Sequence, residues 1–179
     1  MTLALFPEPD APTEPAQPAY TERHMLDLLH QRYGRDHGNG PRYILTEHVR
    51  NRTGFAIEYD KPPLRTADAL AIDLWASTGS TIHGFEVKVS RSDWLTELKD
   101  PTKADPFRAH CDYWWLVVPD ASIVRDDLPA GWGLLAGTAA LRIRQRAPRN
   151  PTPLPIPRAF MAAWLRAAVR TATNRSANA

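Results

Sequence analysis

With 179 residues, 43% of them hydrophobic and 23% charged, the chain has the length and balance of one ordinary globular domain. Its single cysteine, Cys111, excludes an internal disulfide and a cysteine-built zinc cage, and no apolar run approaches the roughly 20 residues that cross a bilayer. Net charge is only +2, but eight arginines and no acid follow Asp127, against fourteen basic and twenty acidic groups in the first 127 residues. That asymmetry suits a polyanion-binding face, and equally a solvated basic tail beside an acidic body.

The start, MTLALFPEPD, lacks a basic flank and a long apolar stretch, so no secretory signal is expected and the protein reads as cytoplasmic. Residues 1–19 hold five prolines and no apolar period, which predicts a disordered or extended arm. Thr21 then caps a helix carrying Met25, Leu28, Leu29 and Tyr33 on one face, and Gly34 ends it. Residues 42–49 read as a strand. Residues 65–77 and 81–89 read as two more, joined by a hairpin at Thr78-Gly79-Ser80. Ser90, three residues before Asp93, resembles a capping box opening a helix with Trp94, Leu95 and Leu98 as its apolar stripe. A second helical piece spans 101–110, with a break expected at Pro106.

Residues 112–119 (DYWWLVVP) are dense enough in apolar groups for a buried central strand. WGLLAG and AALRIRQ suggest two further short strands. A proline-rich connector, 147–157, leads to a C-terminal helix and tail, 158–179, with Phe160, Trp164, Leu165 and Ala168 facing inward. Strands and helices mix along the chain, which predicts an α/β fold with a helix-covered sheet over a core of residues 20–146.

The centre of the chain carries the chemistry. Strand side chains alternate faces, so in GFEVKV Phe85, Val87 and Val89 share one face while Glu86 and Lys88 project together from the other. Across the hairpin Asp68 falls toward the same end as Glu86. Two neighbouring carboxylates suit a hard cation such as Mg²⁺ or Mn²⁺, with the backbone carbonyl of Val87 as a third ligand. Lys88 then orients or helps deprotonate an attacking water and offsets negative charge. Spacing alone favours a plainer reading, a salt bridge on a solvated sheet face.

The longer pattern shifts that balance. RTADALAIDLW, then GFEVKVSRSDWLTELKDPTKAD, then CDYWWLVVPD resembles the PD-(D/E)XK nuclease superfamily over roughly residues 65–120. The closest likeness is to phage-encoded members and to bacterial MmcB-like DNA-repair proteins. The resemblance implies a restriction-endonuclease-like mixed central sheet flanked by helices. It also implies a metal-dependent nuclease acting on DNA in repair, recombination or phage DNA processing, with Asp68, Glu86 and Lys88 catalytic. Members that have lost catalysis exist, so an inactive DNA-binding or repair-partner module is the alternative.

In many members a glutamate from the first helix joins the metal, which here matches Glu22, with Glu47 as a rival on the next strand. Asp73 ranks lower because it lies nearer the hairpin tip. Arg91, Lys99 and Lys103 are candidate phosphate contacts, although Glu97, Asp100 and Asp105 are interleaved and ordinary helix-surface pairing fits as well. Arg142, Arg144 and Arg146 alternate on one strand face, as a phosphate rail or as a charged edge that blocks strand pairing. His83 and His110 lack partners at ligand spacing and read as structural. No base-reading motif is present, so cleavage directed by DNA structure or ends is expected, and a homodimer would suit double-strand cutting.

Overall fold

The computed structural model describes residues 20–35, 38, 40–53 and 63–177; the expected N-terminal arm, 1–19, lies outside them. Strands β1 (Tyr43–Arg50), β2 (Thr66–Asp73), β3 (Ile82–Val87), β4 (Tyr113–Val118), β5 (Trp132–Ala136) and β6 (Arg142–Gln145) form one sheet in sequence order. The first three are antiparallel, β3, β4 and β5 run parallel, and β6 returns antiparallel to β5. Helices α1 (Glu22–Tyr33), α2 (Arg91–Leu98), α3 (Asp105–Arg108) and α4 (Arg158–Ala177) cover it. The expected mixed sheet flanked by helices is therefore present. No helix among the described residues is long and apolar enough to cross a membrane.

Alternation along the strands builds two cores. On one side Met25, Leu26, Leu28, Leu29 and Tyr33 of α1 pack over Ala69, Ala71, Phe85, Val87, Trp115 and Val117. On the other, Trp94 of α2, Phe107 of α3, and Phe160, Trp164 and Ala167 of α4 pack over Leu70, Trp114, Leu116 and Val118. Gly84 is required on β3, since a Cβ there would collide with the Trp114 ring. The helix caps follow the sequence: Thr21 accepts from the His24 N–H, and Ser90 accepts from the Asp93 N–H.

Several local readings change. On α2 the inward face is Trp94 with Glu97, while Leu95 is exposed. On α4 the buried residues are Phe160, Ala163, Trp164, Ala167 and Thr171, and Leu165 points outward. The expected break at Pro106 falls earlier: a 3-10 turn over Pro101–Ala104 runs into α3, whose first turn holds the proline without needing its missing N–H. The connector 147–157 is tied down, with Asn150 and Leu154 donating backbone N–H groups to Asp112 and Ala109, so α4 belongs to the same packed body.

One buried carboxylate ties α1 and α4 to the edge strand. Glu47 accepts both guanidinium nitrogens of Arg23 at 2.7 Å, Nε2 of His30 at 2.7 Å and Arg175 at 3.2 Å. Burial alone would raise its pKa, but the Arg23 pair outweighs it and holds the group down at about 2. Glu47 is thus committed to structure and not to a metal. A depressed carboxylate pKa stabilises the fold above the unfolded chain's value, and that stability is lost as pH falls toward the folded value. Glu47→Gln is expected to cost about 2 kcal/mol at pH 7, less than a fully buried pair because Arg23 is half-exposed to screening solvent. Urea denaturation should show the gap between variant and wild type closing as pH falls from 5 toward 2.

Candidate active site

Backbone pairing between β2 and β3 runs from Ile72–Ile82 to Ala69–Phe85 and stops there. Continued by one residue, that register sets Asp68 directly across from Glu86. Instead of another ladder bond, the Asp68 carboxylate accepts the Val87 N–H at 2.7 Å. An N–H and C=O of one strand residue point to the same side, so the Val87 carbonyl is turned toward Asp68 as well. The three-strand row continues to β1, where the register that pairs Glu47 with Ala69 and Val49 with Ala67 brackets His48 and Asp68.

His48 has a left-handed backbone, φ 50°, uncommon for a residue with a side chain. Its effect is visible in the packing. Leu45 belongs to the α1 core and Val49 to the α4 core, although residues four apart on a regular strand share a face. The strand turns over at His48 and presents the imidazole beside Asp68. Glu22 arrives from the first turn of α1, with Oε1 at 3.7 Å from His48 Nδ1. Ligand atoms of Glu22, His48 and Asp68 all lie within 4.8 Å of one another.

Glu86 turns toward a different set of groups. Lys88 Nζ lies 2.6 Å from Glu86 Oε1 and 3.2 Å from Oε2 of Glu97 on α2. All three side chains are largely buried. Glu86, Glu97, Arg65, Lys103 and Trp114 line a cleft of about 290 Å³ beside this pair. Burial, then the charge of Asp68, pushes the Glu86 pKa above the ordinary carboxylate range. Burial raises Asp68 too, against the pull of the Val87 N–H. For Lys88 burial works the other way, but the Glu86 charge outweighs it and keeps the ammonium protonated. Lys88 is a cation here, suited to orienting and compensating charge rather than to abstracting a proton.

The remaining sequence candidates sort by position. Lys103 sits on the cleft with Glu86. Lys99 is exposed at the end of α2. Arg91 is engaged elsewhere, bonded to Asp127 at 2.5 Å and to the Ile123 carbonyl at 2.9 Å. Arg142 and Arg144 lie on the exposed edge strand β6, with Arg146 just past it, three strands from β3 and so roughly 14 Å away across the sheet. They are not brought into the site. Asp73 is held by Arg42 at 2.7 Å and by the Trp75 N–H, at the far end of β2. His83 accepts from Trp115 Nε1, and burial lowers its pKa to about 4; His110 bonds the Leu154 carbonyl. Both are structural.

Two site residues escaped the sequence reading. Glu97 shares its helix face with Trp94 three residues earlier, a spacing that was open to view. His48 had no such signal, because alternation points to its neighbour Glu47 and only the backbone reversal exposes it.

No family model matches the chain, and comparison with curated proteins returns no match. Among solved structures it is similar to a protein of unknown function from Silicibacter pomeroyi, with a TM-score of 0.54 and 19% identity over 90% of each chain. That likeness speaks to the fold alone.

Proposed function

We propose that the chain is a divalent-metal-dependent nuclease that hydrolyses DNA phosphodiester bonds, in repair, recombination or phage DNA processing. One observation carries this reading: Asp68, anchored on the Val87 N–H, stands across from Glu86 with Lys88 held beside it. Two facing carboxylates with raised pKa values are under-neutralised, and a small hard cation supplies what they lack. Asp68, Glu86 and the Val87 carbonyl would hold Mg²⁺ or Mn²⁺, and Glu22 and His48 offer further ligand atoms at Asp68. An imidazole among the ligands suits Mn²⁺ better than Mg²⁺.

Bound there, the ion would polarise a phosphoryl oxygen and acidify a coordinated water. The chain's own groups do the rest. Lys88 donates hydrogen bonds toward the attacking water and offsets charge that develops on the phosphate. Glu97 keeps Lys88 from swinging away from Glu86. Lys103 offers positive charge on the cleft wall for a neighbouring phosphate.

Incubation of linear duplex, single-stranded and branched DNA with Mg²⁺, Mn²⁺ or EDTA tests the reading. Cleavage should need metal and fall at least about 100-fold in Glu86→Gln and in Lys88→Ala, with the fold retained by circular dichroism. Cleavage that survives Lys88→Ala would sink the reading. Metal-independent binding without cleavage would point to the inactive module instead.

A second expectation concerns stability. Because Glu86 holds its proton more tightly folded than unfolded, the metal-free protein should lose stability as pH rises above the ordinary carboxylate range toward neutrality. Melting temperatures in EDTA between pH 5 and 8 should fall, Mn²⁺ should reverse the fall, and Glu86→Gln should flatten both effects. A metal-free melting curve independent of pH would contradict the electrostatics described for this pair.

A further inference from the structure

Lys88 stands between two acids that different elements hold in place. Its backbone N–H donates to the Val117 carbonyl at 3.0 Å, which fixes its main chain against β4. The long side-chain stem keeps its freedom to turn. Glu86 is fixed by the parallel pairing of β3 with β4, where it lies across from Leu116. Glu97 is fixed on α2, whose start is capped by Ser90. Three residues before Glu97, the fully buried Trp94 bonds Asp127 through Nε1 at 2.7 Å and anchors that helix. The ammonium therefore has two rigid acceptors within reach. It donates to Glu86 Oε1 at 2.6 Å and pairs more loosely with Glu97 Oε2 at 3.2 Å.

Burial makes the second acceptor matter. The side chains of Glu86, Lys88 and Glu97 keep only 13%, 17% and 11% of their surface. An exposed lysine that leaves a carboxylate is met by water, whereas a buried ammonium left unpaired is costly. An ammonium bonded to Glu86 also repels a divalent cation drawn to the same carboxylate. Glu97 gives the ammonium somewhere to go without leaving the protein interior. The exchange needs only a turn of the Lys88 side chain, because both acids stay where their backbones put them.

We propose that Lys88 is a displaceable counter-ion of Glu86, and that Glu97 is a positioning residue that takes up its ammonium as Glu86 turns to a divalent cation. The proposal rests on the nuclease reading for its cation, and adds what sets the affinity for it. Lys88 competes for Glu86, and Glu97 relieves the competition. Glu97 thus governs metal affinity through Lys88 rather than through its own charge.

Calorimetric titration of Mn²⁺ into the full chain, without DNA and at one pH, tests this. Lys88→Met should tighten Mn²⁺ binding and Glu97→Gln should weaken it, each about tenfold. With Lys88→Met already present, Glu97→Gln should cost no more than about threefold, because the group it acts through is gone. Glu97→Asp keeps the charge but draws it back by one methylene, and should weaken binding nearly as much as Glu97→Gln. If Lys88→Met does not fold, the Gln and Asp variants of Glu97 decide the matter alone.

An equal loss from Glu97→Gln with and without Lys88 would overturn the proposal. So would weaker Mn²⁺ binding in Lys88→Met, or a Glu97→Asp variant that binds as the wild type does. Glu86→Gln separates this from the reading beneath it. Mn²⁺ binding that Glu86→Gln abolishes and the Glu97 variants leave unchanged would remove the counter-ion exchange and keep the proposed cation site. No Mn²⁺ binding by the wild type, or binding indifferent to Glu86→Gln, would remove both.

Discussion

The site depends on where backbone pairing between β2 and β3 stops. A buried strand N–H needs an acceptor, and beyond Phe85 the partner strand offers Val87 a carboxylate rather than a carbonyl. That substitution has three consequences at once. It fixes Asp68 in place through a backbone hydrogen bond rather than through a direct ion pair among the described residues. It turns the Val87 carbonyl toward the same point. It also lets the strands part, so Glu86, with Lys88 beside it, opens onto a cleft instead of a continuous sheet face. Had the ladder run one residue further, Asp68 and Glu86 would be an ordinary cross-strand pair with its charge repelled into solvent.

How much of this was legible follows from which periodicities are local. The 3.6-residue period and the Thr21 cap placed α1 within a residue, and alternation placed Glu86 and Lys88 together on one side of β3. Hairpin connectivity brought Asp68 opposite Glu86, although the connection is longer than a tight turn and contains a 3-10 segment, Ala76–Thr78. Short helices with mixed surfaces were less readable. On α2 apolar character suggested Leu95, but burial went to Glu97 because Lys88 lies beneath it and supplies a partner. On α4 the inward face follows Trp164, whose Nε1 bonds Thr46, and small alanines fit where Leu165 does not. The His48 reversal is a property of the folded strand pair and leaves no mark in composition.

The β6 arginines illustrate the same limit from the other direction. Alternation in RIRQR was visible, and the strand exists, but its distance from β3 is fixed by sheet order, which local sequence does not encode. Basic charge reaches the site from elsewhere. Lys103 enters through the turn after α2. The excess of arginine after Asp127 is spread over an exposed edge, the connector and a helix that packs on β1.

Two acidic clusters in this small protein separate a carboxylate neutralised within the fold from carboxylates whose pKa values burial raises. Around Glu47 two guanidinium groups, Arg23 and Arg175, and the His30 imidazole converge on one carboxylate and hold its pKa near 2. Around Asp68 the ratio reverses: Asp68, Glu86 and Glu97 share Lys88, Glu22 and His48 stand beside Asp68, and both central carboxylates are driven up by burial. The two clusters share one sheet, and the first shows that this fold can neutralise a buried acid. Leaving Asp68 and Glu86 short of positive charge weakens the metal-free fold, and that cost makes physical sense where a divalent cation completes the balance. Loss of either carboxylate would relieve the repulsion and remove the place proposed for the cation together, so one pair of residues would link stability to the proposed chemistry.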